Sequence, residues 1–188
     1  GVSGNGCRLS RDGRDHRSKR NVDLNAISGK ALLYGDNIDT DVIIPARYLT
    51  TIDVSILAEH AMEDIDPDFK KKAAMCCILI AGKNFGCGSS REHAALVLKA
   101  AGIRAIVAES YSRIFFRNAI NQGIPTFELE RPSNDFEQAD DLELDLNSWT
   151  LRNLSKAKSI RLRHLPDFLM DILASGGLVN YLKSRKAW

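Results

Sequence analysis

Six consecutive uncharged residues, Cys76-Cys77-Ile78-Leu79-Ile80-Ala81, constrain the fold more than any other stretch of the chain. A strand with one wet face alternates apolar and polar side chains, whereas an unbroken apolar run belongs to a strand covered on both faces, as in parallel sheets. The pattern returns downstream. Ala94, Leu96, Val97, Leu98 and Ala101 give a helical spacing that stops at Gly102, and the run Ile103-Arg104-Ala105-Ile106-Val107-Ala108 follows. A second helix is expected from about Arg113 to Asn121, closed by Gly123, before the strand Pro125-Thr126-Phe127-Glu128-Leu129. Strand, helix, strand, helix, strand is the order of right-handed parallel crossovers.

The flanks extend this unit. Ala31-Leu32-Leu33-Tyr34, stopping at Gly35-Asp36-Asn37, reads as a strand and turn. Ile56, Leu57, His60 and Ala61 give a helix over 55–63, capped by Asp53 or Ser55 and ended by Asp66-Pro67-Asp68. The stretch 141–163 alternates, with Leu142, Leu144 and Leu146 separated by acids, and fits two or three antiparallel strands. Pro166 opens a C-terminal helix, and Gly176-Gly177 separates it from a last short one. The fold class is therefore α/β: parallel central strands with helical crossovers plus an added antiparallel β layer.

Charge divides the chain at about residue 28. Of 26 basic and 24 acidic residues, residues 1–28 hold six basic and three acidic, leaving 20 and 21 in 29–188. The 1–28 segment is poor in large apolar residues and rich in glycine, so it reads as a disordered basic N-terminal extension. A targeting peptide is the competing reading, with Asp12, Asp15 and Asp23 counting against it. Residues 29–188 suit one domain of near-neutral charge. Binding to a nucleic-acid backbone needs clustered cations, so a nucleic-acid partner is not expected. No apolar run nears the ~20 residues that span a membrane. Cys7, Cys76, Cys77 and Cys87 form no spaced disulfide framework, which favours reduced thiols in the cytoplasm.

Chemistry concentrates in Gly82-Lys83-Asn84-Phe85-Gly86-Cys87-Gly88-Ser89-Ser90-Arg91-Glu92-His93, between a buried strand and a helix. Ligands of open α/β sheets bind at that edge. Glycines admit close backbone approach, the first N–H groups of the helix attract anions, and Arg91 offers a fork matched to a carboxylate. The stretch lacks the Gly-Lys-Ser/Thr of a phosphate loop and misses the GxGxxG spacing. A purely structural reading competes, since Ser89 and Glu92 satisfy the S-x-x-E rule for a capping box. His16, His60, His93 and His164 form no ligand pair, and no metal bound by this chain is expected.

Gly82 to Ala94 resembles the signature of the aconitase-type swivelling domain, in the version carried by the small subunits of isopropylmalate dehydratases. The segments from Gly35 to Leu49 and from Ser112 to Asn121 agree with the family in order, and the resemblance covers about residues 29–185. It implies a hydro-lyase component of leucine biosynthesis, inactive without a large subunit that holds a 4Fe-4S cluster. The implied reaction interconverts 2-isopropylmalate and 3-isopropylmalate by dehydration and rehydration. By position, the resemblance makes Ser89 the catalytic base and Arg91 the carboxylate binder, with Ser90, Gly88 and Asp41 beside them. It makes Tyr48, Leu49, Thr50 and Thr51 the loop that distinguishes substrates. Thr50 cannot pair with an extra carboxylate and Leu49 offers apolar contact, which favours an isopropyl group over an acidic chain. One departure stands out: Ala73-Ala74-Met75-Cys76-Cys77 enters the central strand where relatives carry a Pro-Gly-Asp-like turn.

The implied partners are the large subunit and a small dicarboxylate, and self-association of the isolated chain stays open. Within the hydro-lyases, homoaconitate, citramalate or dimethylmalate are alternative substrates. A non-catalytic RNA-binding module is the alternative from another class. The roles of Lys83, Arg113 and Arg117 are undecided between supporting the anion site and facing the partner.

Overall fold

The two apolar runs become adjacent parallel strands, β2 (Ile78–Ala81) and β3 (Ala105–Ala108), with every residue buried. The computed structural model describes residues 25–185. Alternate side chains of these strands serve different cores: Ile78, Ile80, Ala105 and Val107 point to one, and Leu79, Ala81, Ile106 and Ala108 to the other. That two-residue period is the reason neither strand has room for a charge. Each fully buried Ile or Leu contributes roughly 1.5–3 kcal/mol.

Both strands are shorter than the runs that announce them. Helix α3 (Phe69–Met75) runs up to the strand entry and Cys76 is its extended C-cap, so helix leads into strand with almost no turn. Arg104 precedes β3 and donates its N–H to the Cys77 carbonyl at 2.8 Å.

β1 (Ala26–Leu33) lies beside β2, and β4 (Thr126–Glu128) beside β3. Three further strands, β5 (Asp141–Asp145), β6 (Thr150–Asn153) and β7 (Lys158–Arg161), continue the sheet in the order β4-β3-β2-β1-β5-β6-β7. The first four strands are parallel and the last three antiparallel. The antiparallel part is continuous with the sheet, and its Leu142, Leu144 and Leu151 pack into the same core as Ile78 and Val107. The opposite core is roofed by α2 (Val54–Glu59), α3 and α4 (Glu92–Ala101), joined by Phe115 and Ala119 of α5 (Arg113–Asn121). Helices α6 (Asp167–Ala174) and α7 (Leu178–Arg185) close the chain.

The boundary at residue 28 shifts. Residues 26–28, assigned to the basic extension, belong to β1 and pair with Asp145, Leu144 and Glu143 of β5. Ile27 is buried there, and its partners lie too far along the chain for any local pattern to reveal them. Asn25, just ahead of β1, accepts from Leu146 N–H at 3.2 Å, and residues 1–24 lie outside the described residues.

Candidate active site

Three loops leave the C-terminal ends of β1, β2 and β3, and their backbones are bonded to one another. Asn37 N–H donates to the Lys83 carbonyl (2.7 Å), Gly86 N–H to Ile38 (2.8 Å) and Thr40 N–H to Cys87 (2.8 Å). On the other side of the glycine-rich loop, Phe85 N–H donates to Ser110 (3.0 Å) and Ser112 N–H to Phe85 (3.1 Å). Side chains complete the weave. Asp36 accepts from Lys83 N–H at 2.7 Å, and Asp39 caps the short helix α1 (Thr40–Ile43) by accepting from Asp41 N–H at 2.6 Å. Ser112 accepts from Phe115 N–H as the N-cap of α5 and donates to the Gly86 carbonyl at 2.7 Å.

The weave requires two of its glycines. Gly86 has φ 74° and a Cβ there would lie 2.2 Å from the Phe115 ring; Gly88 has φ 94° and a Cβ would lie 2.3 Å from the Asp39 carboxylate. Any other residue would be strained in its backbone and driven into its neighbour.

On this base lies a cleft of about 280 Å³. Thr40, Gly86, Gly88, Ser89 and Arg91 line it together with Ser112, Arg113, Ile114, Phe115 and Asn118 from the start of α5. The buried Thr40 hydroxyl donates to the Ser89 carbonyl at 2.9 Å and fixes the backbone from which the exposed Ser89 side chain projects. Among the described residues no hydrogen bond engages the Ser89 hydroxyl.

The capping-box reading of Ser89 fails for a geometric reason. Helix α4 begins at Glu92 and its N-cap is Arg91, which makes no side-chain cap, so Ser89 lies two residues too early to cap it. The first-turn N–H groups of α4 therefore have no side-chain partner from that position.

Arg91 is held from one side only. Its Nη1 pairs with the Asp41 carboxylate and donates to the Ile44 carbonyl at 3.2 Å. Among the described residues no acceptor engages Nη2 or Nε, so part of the fork remains for a ligand although the side chain is only 18% exposed. Gly88, Ser89 and Arg91 thus share the cleft, and Asp41 joins them through Arg91. Ser90 is exposed and outside the lining.

Tyr48, Leu49, Thr50 and Thr51 are not brought to this cleft. Tyr48 ends a 3-10 turn (Ala46–Tyr48), stacks on His60 with ring centroids 3.8 Å apart, and donates its hydroxyl to Glu63. Glu63 also bonds His60 Nδ1 at 2.6 Å, and these contacts, the Tyr48 hydroxyl foremost, hold its carboxyl below the usual carboxylate range. Leu49 packs against the helical core, Thr50 is exposed, and the Thr51 hydroxyl accepts from Asp53 N–H at 3.1 Å.

Of the undecided cations, Lys83 lies 3.9 Å from Glu109, Arg113 lines the cleft, and Arg117 lies along a neighbouring groove of about 430 Å³ that shares Ser112 and Arg113. Thr40, Ser112, Ile114 and Asn118 were not singled out from the sequence as lining residues. Ser112 carried a signal, as a cap residue one position before the expected α5; Thr40 carried none. Among the described residues no group of three His, Cys, Asp or Glu side chains could hold a metal ion.

The model of the aconitase C-terminal domain matches residues 15–132. A 3-isopropylmalate dehydratase small subunit from Thermodesulfovibrio yellowstonii is 51% identical over 159 residues, covering 85% of this chain and 95% of its own. The chain belongs to the 3-isopropylmalate dehydratase small-subunit family. A member of that family from Pyrobaculum calidifontis is 52% identical over 159 residues, covering 85% of this chain and 98% of its own. The crystal structure of a 3-isopropylmalate dehydratase from Methanocaldococcus jannaschii matches with a TM-score of 0.80 at 44% identity, over 86% of this chain and 95% of that one. The family and the structural match thus account for the α/β fold.

Proposed function

We propose that this chain is the small subunit of a 3-isopropylmalate dehydratase, which with a large subunit interconverts 2-isopropylmalate and 3-isopropylmalate in leucine biosynthesis. The observation that carries the reading is an unengaged Ser89 hydroxyl and a half-engaged Arg91 fork lining one cleft at the C-terminal edge of the parallel strands. The names of the family members support the small-subunit assignment. A cytoplasmic location goes with this reading; no helix among the described residues is long and apolar enough to cross a membrane.

The demanding step is removal of a proton alpha to a carboxylate. Ser89 Oγ, ionised, takes that proton, the electron pair left behind forms the double bond of isopropylmaleate, and the hydroxyl on the adjacent carbon leaves as water with a proton from a general acid that this reading assigns to the large subunit. Readdition of water at the other carbon completes the exchange, with Ser89 returning the proton. Negative charge builds on the substrate carboxylate during proton removal, and the free Nη2 and Nε of Arg91 meet it with charge-assisted hydrogen bonds. Asp41 and the Ile44 carbonyl keep the guanidinium oriented. A serine hydroxyl is a weak acid, so its ionised form needs oriented donors. The uncapped first turn of α4 and the loop N–H groups supply them.

Cluster ligation needs several convergent thiolates. Cys76 and Cys77 are buried at the entry to β2 and Cys87 lies in the loop beyond its other end, so among the described residues the cysteines do not fit a cluster. The reading gives the 4Fe-4S cluster to the large subunit, where it would supply a Lewis acid for the departing hydroxyl. No step above is routed through it.

Co-expression with a candidate large subunit tests the proposal. The isolated chain is expected to be inactive and the complex active. Ser89→Ala should assemble normally and lose about a hundredfold to ten-thousandfold in kcat, the range of a positioned base. Arg91→Lys should also lose most turnover, because a point charge does not reproduce the fork. Wild-type turnover in Ser89→Ala would refute the base assignment.

A further inference from the structure

Arg91 is held through α1, and α1 is itself held. The guanidinium takes its orientation from Asp41, within that four-residue helix, and from the carbonyl of its C-cap, Ile44. A helix this short is marginal on its own, so its place is set by what binds it. The segment after α2 does so in two ways. Met62 N–H donates to the Ile43 carbonyl at 2.9 Å, and the buried Met62 has a left-handed backbone (φ 58°) where it makes that bond. Such a conformation costs free energy for a residue other than glycine and persists where the surroundings enforce it. Beside it, Glu63 gathers the 3-10 turn Ala46–Tyr48, which only Pro45 separates from Ile44. Its Oε1 accepts from the Tyr48 hydroxyl and lies 3.3 Å from Arg47 Nη2, and its Oε2 bonds Nδ1 of His60, on which the Tyr48 ring stacks.

We infer that Glu63 is a positioning residue for Arg91: by fixing the turn that follows α1 it sets where the free part of the guanidinium fork meets a substrate carboxylate. The inference rests on the dehydratase reading above and deepens it. Glu63 lies outside the cleft lining, so it acts through what it holds. One carboxylate joins three side chains, two of them on the turn. Its removal leaves the Met62–Ile43 bond and the Arg47–Asp64 pair as the remaining polar ties between this turn region and the segment after α2. The Ile44 carbonyl, and with it Arg91 Nη1, then gains freedom to shift.

The test measures, by calorimetry, the binding of methylsuccinate, a small dicarboxylate that cannot be dehydrated, to the reconstituted complex. Arg91→Lys should weaken binding about tenfold or more, the scale of a charge-assisted hydrogen bond. Glu63→Ala should weaken it about fivefold with Arg91 present and less than about twofold in the Arg91→Lys background, since residues that act through one another are not additive. Glu63→Gln keeps an acceptor for the Tyr48 hydroxyl, while Arg47 keeps Asp64, so binding should stay within about twofold of wild type. Tyr48→Phe keeps the stacked ring and removes one hydrogen bond, for an expected loss of about threefold that also vanishes in the Arg91→Lys background. Unchanged binding in Glu63→Ala, or in Tyr48→Phe where Glu63→Ala does not fold, overturns the assignment even if stability falls. So does a loss of equal size in the Arg91→Lys background, because Glu63 would then act on the ligand by a route other than Arg91. If Arg91→Lys itself binds like wild type, the carboxylate role of Arg91 in the dehydratase reading falls, and this assignment with it.

Discussion

The two sides of β1 make different use of the same sheet. Toward β2, β3 and β4 the strands are parallel, with β2 and β3 buried on both faces, and the segments that follow β1, β2 and β3, α5 included, supply every lining residue of the cleft. Toward β5, β6 and β7 the strands are antiparallel, β5 and β6 alternate between core and solvent, and none of the lining residues comes from them. Parallel strands send all their C-terminal ends to one edge, so their loops converge; antiparallel neighbours send successive loops to opposite edges. The parallel side builds a site, and the antiparallel side closes the second core.

That contrast can be broken by substitution. Gly86→Ala, on the parallel side, should have the largest effect: a left-handed backbone and a Cβ 2.2 Å from Phe115 together cost roughly 3–5 kcal/mol and displace the loop that carries Ser89. Denaturant unfolding and turnover of the complex should fall together. Leu151→Ala, on β6, should cost about 2–4 kcal/mol through the cavity it leaves, yet folded protein should keep wild-type turnover in the complex. If turnover fell as far as stability, the division between the two sides would fail.

A smaller change separates the helical layer from both. Asp66, with its side chain 11% exposed, accepts from the Tyr34 hydroxyl at 2.7 Å and from Lys72 Nζ at 2.9 Å, tying the turn after α2 to the end of β1. Burial works to raise its carboxyl, and the bonds from Lys72 and Tyr34 outweigh burial, so it titrates below the ordinary carboxylate range. Its folded-state value lying below its unfolded one, the stabilisation is complete above the unfolded value and is lost as pH falls through the folded one. Asp66→Asn should therefore cost about 1–3 kcal/mol at neutral pH. Its deficit against wild type should shrink below about pH 4, near the unfolded carboxylate value. Thermal melts across pH 3–7 check the sign.

Local pattern announced the parts whose structure is decided locally. Apolar runs marked β2 and β3, the latter beginning just after Arg104, and α5 spans Arg113 to Asn121 with Ser112 as its cap. The Gly-Cys-Gly-Ser-Ser-Arg turn falls on the cleft because strand, loop and helix follow one another in the chain. What pattern missed depends on distant partners. The first residues of β1 carry one large apolar side chain, Ile27, and are ordered by β5. Ser89 and Glu92 have the spacing of a cap, but the chain reaches helical geometry only after Arg91 has docked on Asp41 and Ile44. Tyr48 looked available and is held by Glu63, fifteen residues on.

The order β4-β3-β2-β1 has a consequence for synthesis. Each of these strands pairs with the one made just before it, so the cleft-bearing half can assemble as the chain emerges, through contacts of shorter sequence range than the pairing of β1 with β5. β5 must then return across the finished half to find Ala26–Lys30. Until it does, Ile78, Ile80 and Val107 face water on the side that the antiparallel strands will cover. The interval between completing β4 and docking β5 is when the nascent chain exposes a ready apolar sheet face, and it is the stage at which a chaperone would find it.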